Sequence, residues 1–113
     1  MHEYALIQSL VERVATEARA RDASAVHRLN VRIGELSGVD VELFRTAFLT
    51  FRDRTVCEGA ELVVETVPVQ WACERCGTPV RAGQPLRCAA CHSPARLVAG
   101  DEIILDRIEM EVA

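Results

Sequence analysis

Two pairs of cysteines, Cys73-Glu-Arg-Cys76 and Cys88-Ala-Ala-Cys91, stand eleven residues apart. That separation lets two tight knuckles converge on one tetrahedral ion. Thiolates are soft donors, and four of them close the coordination shell without leaving a position for water, so the site would be structural. The spacing points to Zn²⁺ ahead of rubredoxin-type iron, a redox dithiol pair or disulfides. Gly77 follows Cys76, where a positive φ helps the backbone turn its N–H groups toward sulfur, and His92 holds the same place in the second knuckle. His92 reads as a surface residue or a neighbour of the metal shell, with a metal-linked or pH-linked role as the alternative. Cys57 lies outside both pairs and reads as a buried apolar filler.

The second constellation is the amino terminus, Met1-His2-Glu3. Its α-amine, the His2 amide nitrogen and the His2 imidazole can close two fused rings on one ion. Such an all-nitrogen set suits square-planar Ni(II) or Cu(II), with the Glu3 amide as a fourth donor. A six-coordinate alternative uses the amine, the imidazole and carboxylates such as Glu3. Met1 should be retained, because His2 is too bulky for ordinary methionine removal.

These groups need positioning. Ile7, Leu10, Val11, Val14, Ala15 and Ala18 follow helical spacing over residues 2–21, and Leu29-Asn30-Val31-Arg32-Ile33 alternates as a half-buried strand ending at Gly34. Asp40 can cap a second helix whose stripe of Phe44, Ala47, Phe48 and Phe51 holds every phenylalanine of the chain. Leu62 to Val69 is β-branched and stops being sheet-like near Pro68. Trp71 to Arg96 has four cysteines and little apolar periodicity, so a metal must supply its folding energy. Ile103 to Val112 resumes as a strand whose alternation changes phase, which predicts a bulge near Asp106 and Arg107. The expected fold is α+β: a small three-stranded sheet with two helices on one face, plus an inserted zinc-ribbon module. Its expected domains are 1–70 with 99–113, and 71–98. If Leu62 to Val69 pairs antiparallel with Ile103 to Val112, both ends of the module sit together.

Composition narrows the function. The 113 residues are 50% hydrophobic and carry thirteen basic side chains against seventeen acidic ones, a net charge of -4. This fits one main core and disfavours general attraction to nucleic acid or an anionic membrane. Within the module four arginines face one glutamate, but four thiolates and Zn²⁺ offset most of that charge, and only Trp71 could stack a base. Every basic residue is arginine, for which the sequence offers no functional reason. No apolar run reaches the roughly 20 residues of a membrane span and no signal peptide is evident, so a cytosolic protein without membrane partners is expected. There is no phosphate-binding loop or nucleophile and base pair, so no enzyme activity is expected. The rival reading is a zinc-ribbon adaptor for nucleic acid or protein, without nickel.

The order of motifs then carries a resemblance. Met1-His2-Glu3 before a helix, the strand ending Ile33-Gly34-Glu35-Leu36-Ser37-Gly38-Val39, the twin cysteine pairs, and Gly100-Asp101-Glu102 with Ile108-Glu109-Met110-Glu111 resemble the HypA/HybF family of hydrogenase nickel-incorporation proteins. Met110 stands where the family often has valine, an apolar exchange that leaves the strand intact. The resemblance covers essentially the whole chain. It implies a nickel metallochaperone with Met1, His2 and Glu3 at the nickel site, His2 essential, and Asp40 as a nearby acidic member. It implies a zinc held by Cys73, Cys76, Cys88 and Cys91. It also implies work with the GTPase HypB, delivery to the large subunit of [NiFe] hydrogenase, and, for some members, urease and its accessory proteins. A monomer or weak homodimer is expected.

Overall fold

The computed structural model describes residues 2–81, 83 and 85–112, without the side chain of His2. The elements follow in the order α1 (His2–Ala20), β1 (Ala23–Gly34), α2 (Val41–Phe51), β2 (Glu61–Val67), β3 (Gln70–Cys73), β4 (Pro79–Val80), β5 (Ala95–Ala99) and β6 (Ile103–Val112). They form two three-stranded sheets, ordered β2-β1-β6 and β4-β3-β5. The expected α+β class, with two helices and a cysteine module, is what the chain adopts.

The first compact unit comprises residues 1–32, 39–65 and 104–113. Its core is most of the stripe the periodicity marked, Ile7, Val11, Val14 and Ala18 of α1 and Phe44, Ala47 and Phe48 of α2, with Val26, Leu29 and Val31 of β1, while Leu10, Ala15 and Phe51 are only half-buried. Tyr4 meets Phe51 edge-on at 5.7 Å between ring centroids, which ties the start of α1 to the end of α2. β1 is longer than Leu29 to Ile33 because the expected alternation breaks before Leu29. Val26 and Leu29 are both buried while His27 and Arg28 between them are exposed, so the strand carries a phase slip that period-2 reading cuts short. Asp106 and Arg107 are consecutive exposed residues in β6, the change of phase expected there.

One pairing expectation is corrected. β1 lies between β2 and β6, so Leu62 to Val69 and Ile103 to Val112 are not neighbours. The ion pairs on the exposed sheet face give the directions. Arg28 meets Glu61 and Arg32 meets Glu65, both numbers rising together, so β2 runs parallel to β1 with α2 as the crossover. Arg28 also meets Glu109, and Arg32 meets Asp106, in opposite senses, so β6 runs antiparallel to β1. A parallel pair needs a crossover element, and α2 supplies it, which places β2 on the far side of β1 from β6.

The second unit comprises residues 33–38 and 66–103, and the expected module 71–98 lies within it. β3 pairs antiparallel with both β4 and β5, with Trp71 opposite Val80 on one side and Leu97 on the other. The two ends of the module are stitched by the turn after β1: Gly34 donates to Glu102 O at 2.8 Å, Glu35 to Val67 O at 2.9 Å and Leu36 to Gly100 O at 2.6 Å. So the ends do meet, through residues 34–36 and the pairing of Gln70 with Ala99, in place of a β2–β6 ladder. Glycine is required at this crossing. A Cβ at Gly34 would collide with the Gly100 carbonyl, and Gly100 itself has φ 103 with the Val69 Cα 2.7 Å from where its Cβ would lie.

Candidate metal centres

The four paired cysteines converge. Their sulfurs all lie within 4.8 Å of one another, with Cys73 to Cys91 at 3.2 Å, Cys76 to Cys88 at 3.6 Å and Cys76 to Cys91 at 3.8 Å. A disulfide requires about 2.05 Å, so these are four separate thiol sulfurs. A tetrahedral ion with metal–sulfur bonds of about 2.3 Å sets its ligands about 3.8 Å apart, and the observed spacings fit that donor set.

Local backbone makes the knuckles. The N–H groups of Arg75 and Cys76 both point at Cys73 Sγ, at 3.4 Å each, and Gly77 closes the turn onto Cys73 O with φ 77. In the second knuckle His92 closes the turn onto Cys88 O, and its φ of 58 shows that it occupies the glycine-like position with a side chain attached. That side chain is exposed. Hydrogen bonds prepare two thiols for ionisation: the Ser93 backbone N–H, then Cys73 and the Ser93 hydroxyl, hold Cys91 down to about 6. The Thr78 hydroxyl, 3.0 Å from Cys76 Sγ, lowers Cys76 as well. Thr78 and Ser93 carry no motif of their own, and only their places two residues beyond Cys76 and Cys91 could have singled them out. Burial raises the thiol of Cys57, which is fully enclosed in the first unit.

The amino-terminal constellation is a different kind of assembly. Met1 and the His2 side chain lie outside the described residues. Glu3 and Asp40 are brought together: Glu3 Oε2 accepts the Asp40 backbone N–H at 3.0 Å, and Glu3 is only 7% exposed. Asp40 is the N-cap of α2, its Oδ1 accepting from Leu43 N at 3.1 Å. A capping box would place Glu or Gln at position 43 to receive the cap residue's own N–H, but the chain has Leu43 there. Glu3 takes over that role from α1, across 37 positions of sequence. No local pattern announces it.

The electrostatics follow from two helix starts at one place. Each helix N-terminus carries about half a positive charge, which repels a cation. The carboxylates of Glu3 and Asp40 reverse that field. The His2 N–H, at the first turn of α1, has no intrahelical acceptor to lose, so its nitrogen can serve a metal without breaking the helix. Together these groups can bind a divalent cation at the chain's beginning.

The comparisons identify the family. Residues 1–110 match the family model described as "Hydrogenase/urease nickel incorporation, metallochaperone, hypA". The hydrogenase maturation factor HypA of Shewanella halifaxensis is 36% identical over 115 residues, covering 100% of both chains. That of Aquifex aeolicus is 35% identical, covering 99% of each. Among solved structures, the Ni metallochaperone HypA from Helicobacter pylori shares 32% identity with a TM-score of 0.76 over 98% of both chains. A second HypA solution structure reaches 0.82 at 33% identity, covering 97% of this chain and 96% of the other.

Proposed function

The chain belongs to the HypA family of nickel-incorporation metallochaperones for hydrogenase maturation, and from that premise we propose how its two metal centres divide the work. Nickel is cargo, bound at the amino terminus by the Met1 amine, His2, Glu3 and Asp40. Zinc is resident, held by Cys73, Cys76, Cys88 and Cys91, and shapes the ribbon. The observation that supports the nickel reading is the Glu3–Asp40 contact, which brings the cap residue of α2 to the first turn of α1, where His2 stands.

A carrier must bind selectively and then let go. The nickel donors come from a chain end and one cap, so they form no closed cage. Protonating the imidazole or a metal-bound amide weakens the set, which gives release a proton-linked handle. The closed thiolate centre has no position for water or substrate, so it does no chemistry on the cargo. Nucleotide hydrolysis comes from a partner, the GTPase HypB, and the recipient is the large subunit of [NiFe] hydrogenase. The family model's description also names urease, and its accessory proteins are the second client class. No helix among the described residues is long and apolar enough to cross a membrane.

The test is calorimetric Ni(II) titration of untagged, zinc-loaded protein beside His2→Ala and a variant extended by two residues before Met1. The extension removes the α-amine from its chelating position without touching a side chain. Loss of binding in both variants is expected. Unchanged binding in both would move nickel to the cysteine centre or His92 and overturn the terminal site.

A further inference from the structure

β6 is an edge strand of the sheet β2-β1-β6, so one row of its backbone N–H and C=O groups faces away from β1. Beside that edge lies a cleft of about 530 Å³ between β6 and the Arg13–Glu17–Arg21 face of α1. Leu105, Ile108, Met110 and Val112 supply its apolar lining, and Val112 is 55% exposed. Natural edges are commonly blunted by charge, and β6 does carry Asp106, Glu109 and Glu111. Each of these acids reaches a basic residue of β1, although Asp106 also lines the cleft. Asp106 pairs with Arg32 at 3.7 Å, Glu109 with Arg28 at 3.3 Å, and Glu111 lies 3.7 Å from His27, all on β1.

The charged groups lining the cleft are Arg13, Arg21 and Arg107 against Glu17 and Asp106, so basic groups are in excess there. Glu17 is matched by Arg21 at 3.8 Å, whereas Arg13 and Arg107 have no ion-pair partner among the described residues. An acidic chain with a net charge of -4 thus presents two unmatched guanidinium groups beside an open strand edge and an apolar lining.

We propose that this edge docks an extended acidic segment of a partner protein, which adds as a strand on β6 and sets its carboxylates against Arg13 and Arg107. Main-chain hydrogen bonds would supply affinity, and alternate aliphatic side chains would pack against the apolar lining. A second copy fits poorly, because two-fold pairing of β6 edges brings two sets of Arg13 and Arg107 into one interface.

The experiment uses the full zinc-loaded chain, labelled with ¹⁵N, and a synthetic peptide alternating valine with glutamate. Saturable shifts and slowed amide exchange confined to residues 103–112 and the 13–21 face of α1 are expected. Replacing the peptide's glutamates by glutamine, or combining Arg13→Glu with Arg107→Glu, should weaken binding about tenfold, as should raised salt. Both arginines are exposed, so an otherwise unchanged spectrum of the double variant, or of Arg13→Ala with Arg107→Ala, establishes that the fold is intact. No binding, equal binding of the glutamine peptide, or shifts centred elsewhere overturns the proposal. So does concentration-dependent protection of β6 without peptide, which would make the edge a self-association surface.

Discussion

The cysteine cluster and the proposed terminal nickel centre are built on opposite plans. The cysteine centre gathers four like donors from two short knuckles, each closed by its own backbone turn, with sulfurs 3.2–3.8 Å apart along the measured contacts. The proposed terminal centre would gather unlike donors from the start of α1 and the cap of α2, which a hydrogen bond from Asp40 N to Glu3 links across 37 positions. Local closure favours a resident ion that holds the chain, and long-range, open assembly favours an ion that leaves. That contrast is the physical content of a carrier with one structural and one travelling metal.

The strongest way to break the comparison is to remove a knuckle. Cys73→Ser leaves three thiolates around an ion that needs four, and the segment 70–99 has little apolar core to fall back on. Amide exchange should show near-complete loss of protection in β3 and β5, while the α1 and α2 core around Phe44 and Phe48 stays protected. Retained protection in β3 without zinc would mean that the ribbon folds on its own contacts and that the metal is not its folding energy.

A smaller effect is expected at Glu3, where two roles coincide. Glu3→Ala orphans the Asp40 N–H in a part-buried place and should cost about 1–3 kcal/mol in chemical denaturation. Glu3→Gln keeps an acceptor oxygen and should retain most of that stability while weakening nickel binding. If both variants lose stability equally, the carboxylate charge, and not the hydrogen bond, holds the two helix starts together. The smallest effect belongs to Asp40. Asp40→Ala should cost about 1 kcal/mol as a lost cap, and Asp40→Asn, a good cap, should be near neutral. Nickel affinity measured beside stability separates the cap from the ligand, since only the charge differs between Asp40 and Asn.

The same contrast decides what could be read in the chain. The cysteine centre was legible because its ligands sit in two four-residue motifs whose spacing is itself the geometry. The helices were legible through their stripes, and Asp40 as a cap through its place before Val41. The nearness of Glu3 and Asp40 was legible only through the family resemblance, since nothing within four residues of either signals the other. Leu43 in place of Glu or Gln leaves a cap N–H wanting an acceptor, but does not say where it comes from. Sheet order was equally hidden: parallel pairing of β1 with β2 follows from the α2 crossover, and the alternation in Leu62 to Val69 is the same for either neighbour. The slip at His27 and Arg28 concealed half of β1 for the same reason that period-2 patterns fail at any bulge. β3 and β5 are four and five residues long, too short for alternation to register.

The central claim is that nickel and zinc occupy separate centres of different donor chemistry. Nickel-edge X-ray absorption on zinc-loaded protein carrying one equivalent of Ni(II) reads this directly. Scattering from nitrogen and oxygen alone, with the histidine ring signature lost in His2→Ala, is the result the account predicts. A sulfur shell around nickel would place the cargo among Cys73, Cys76, Cys88 and Cys91 and contradict it.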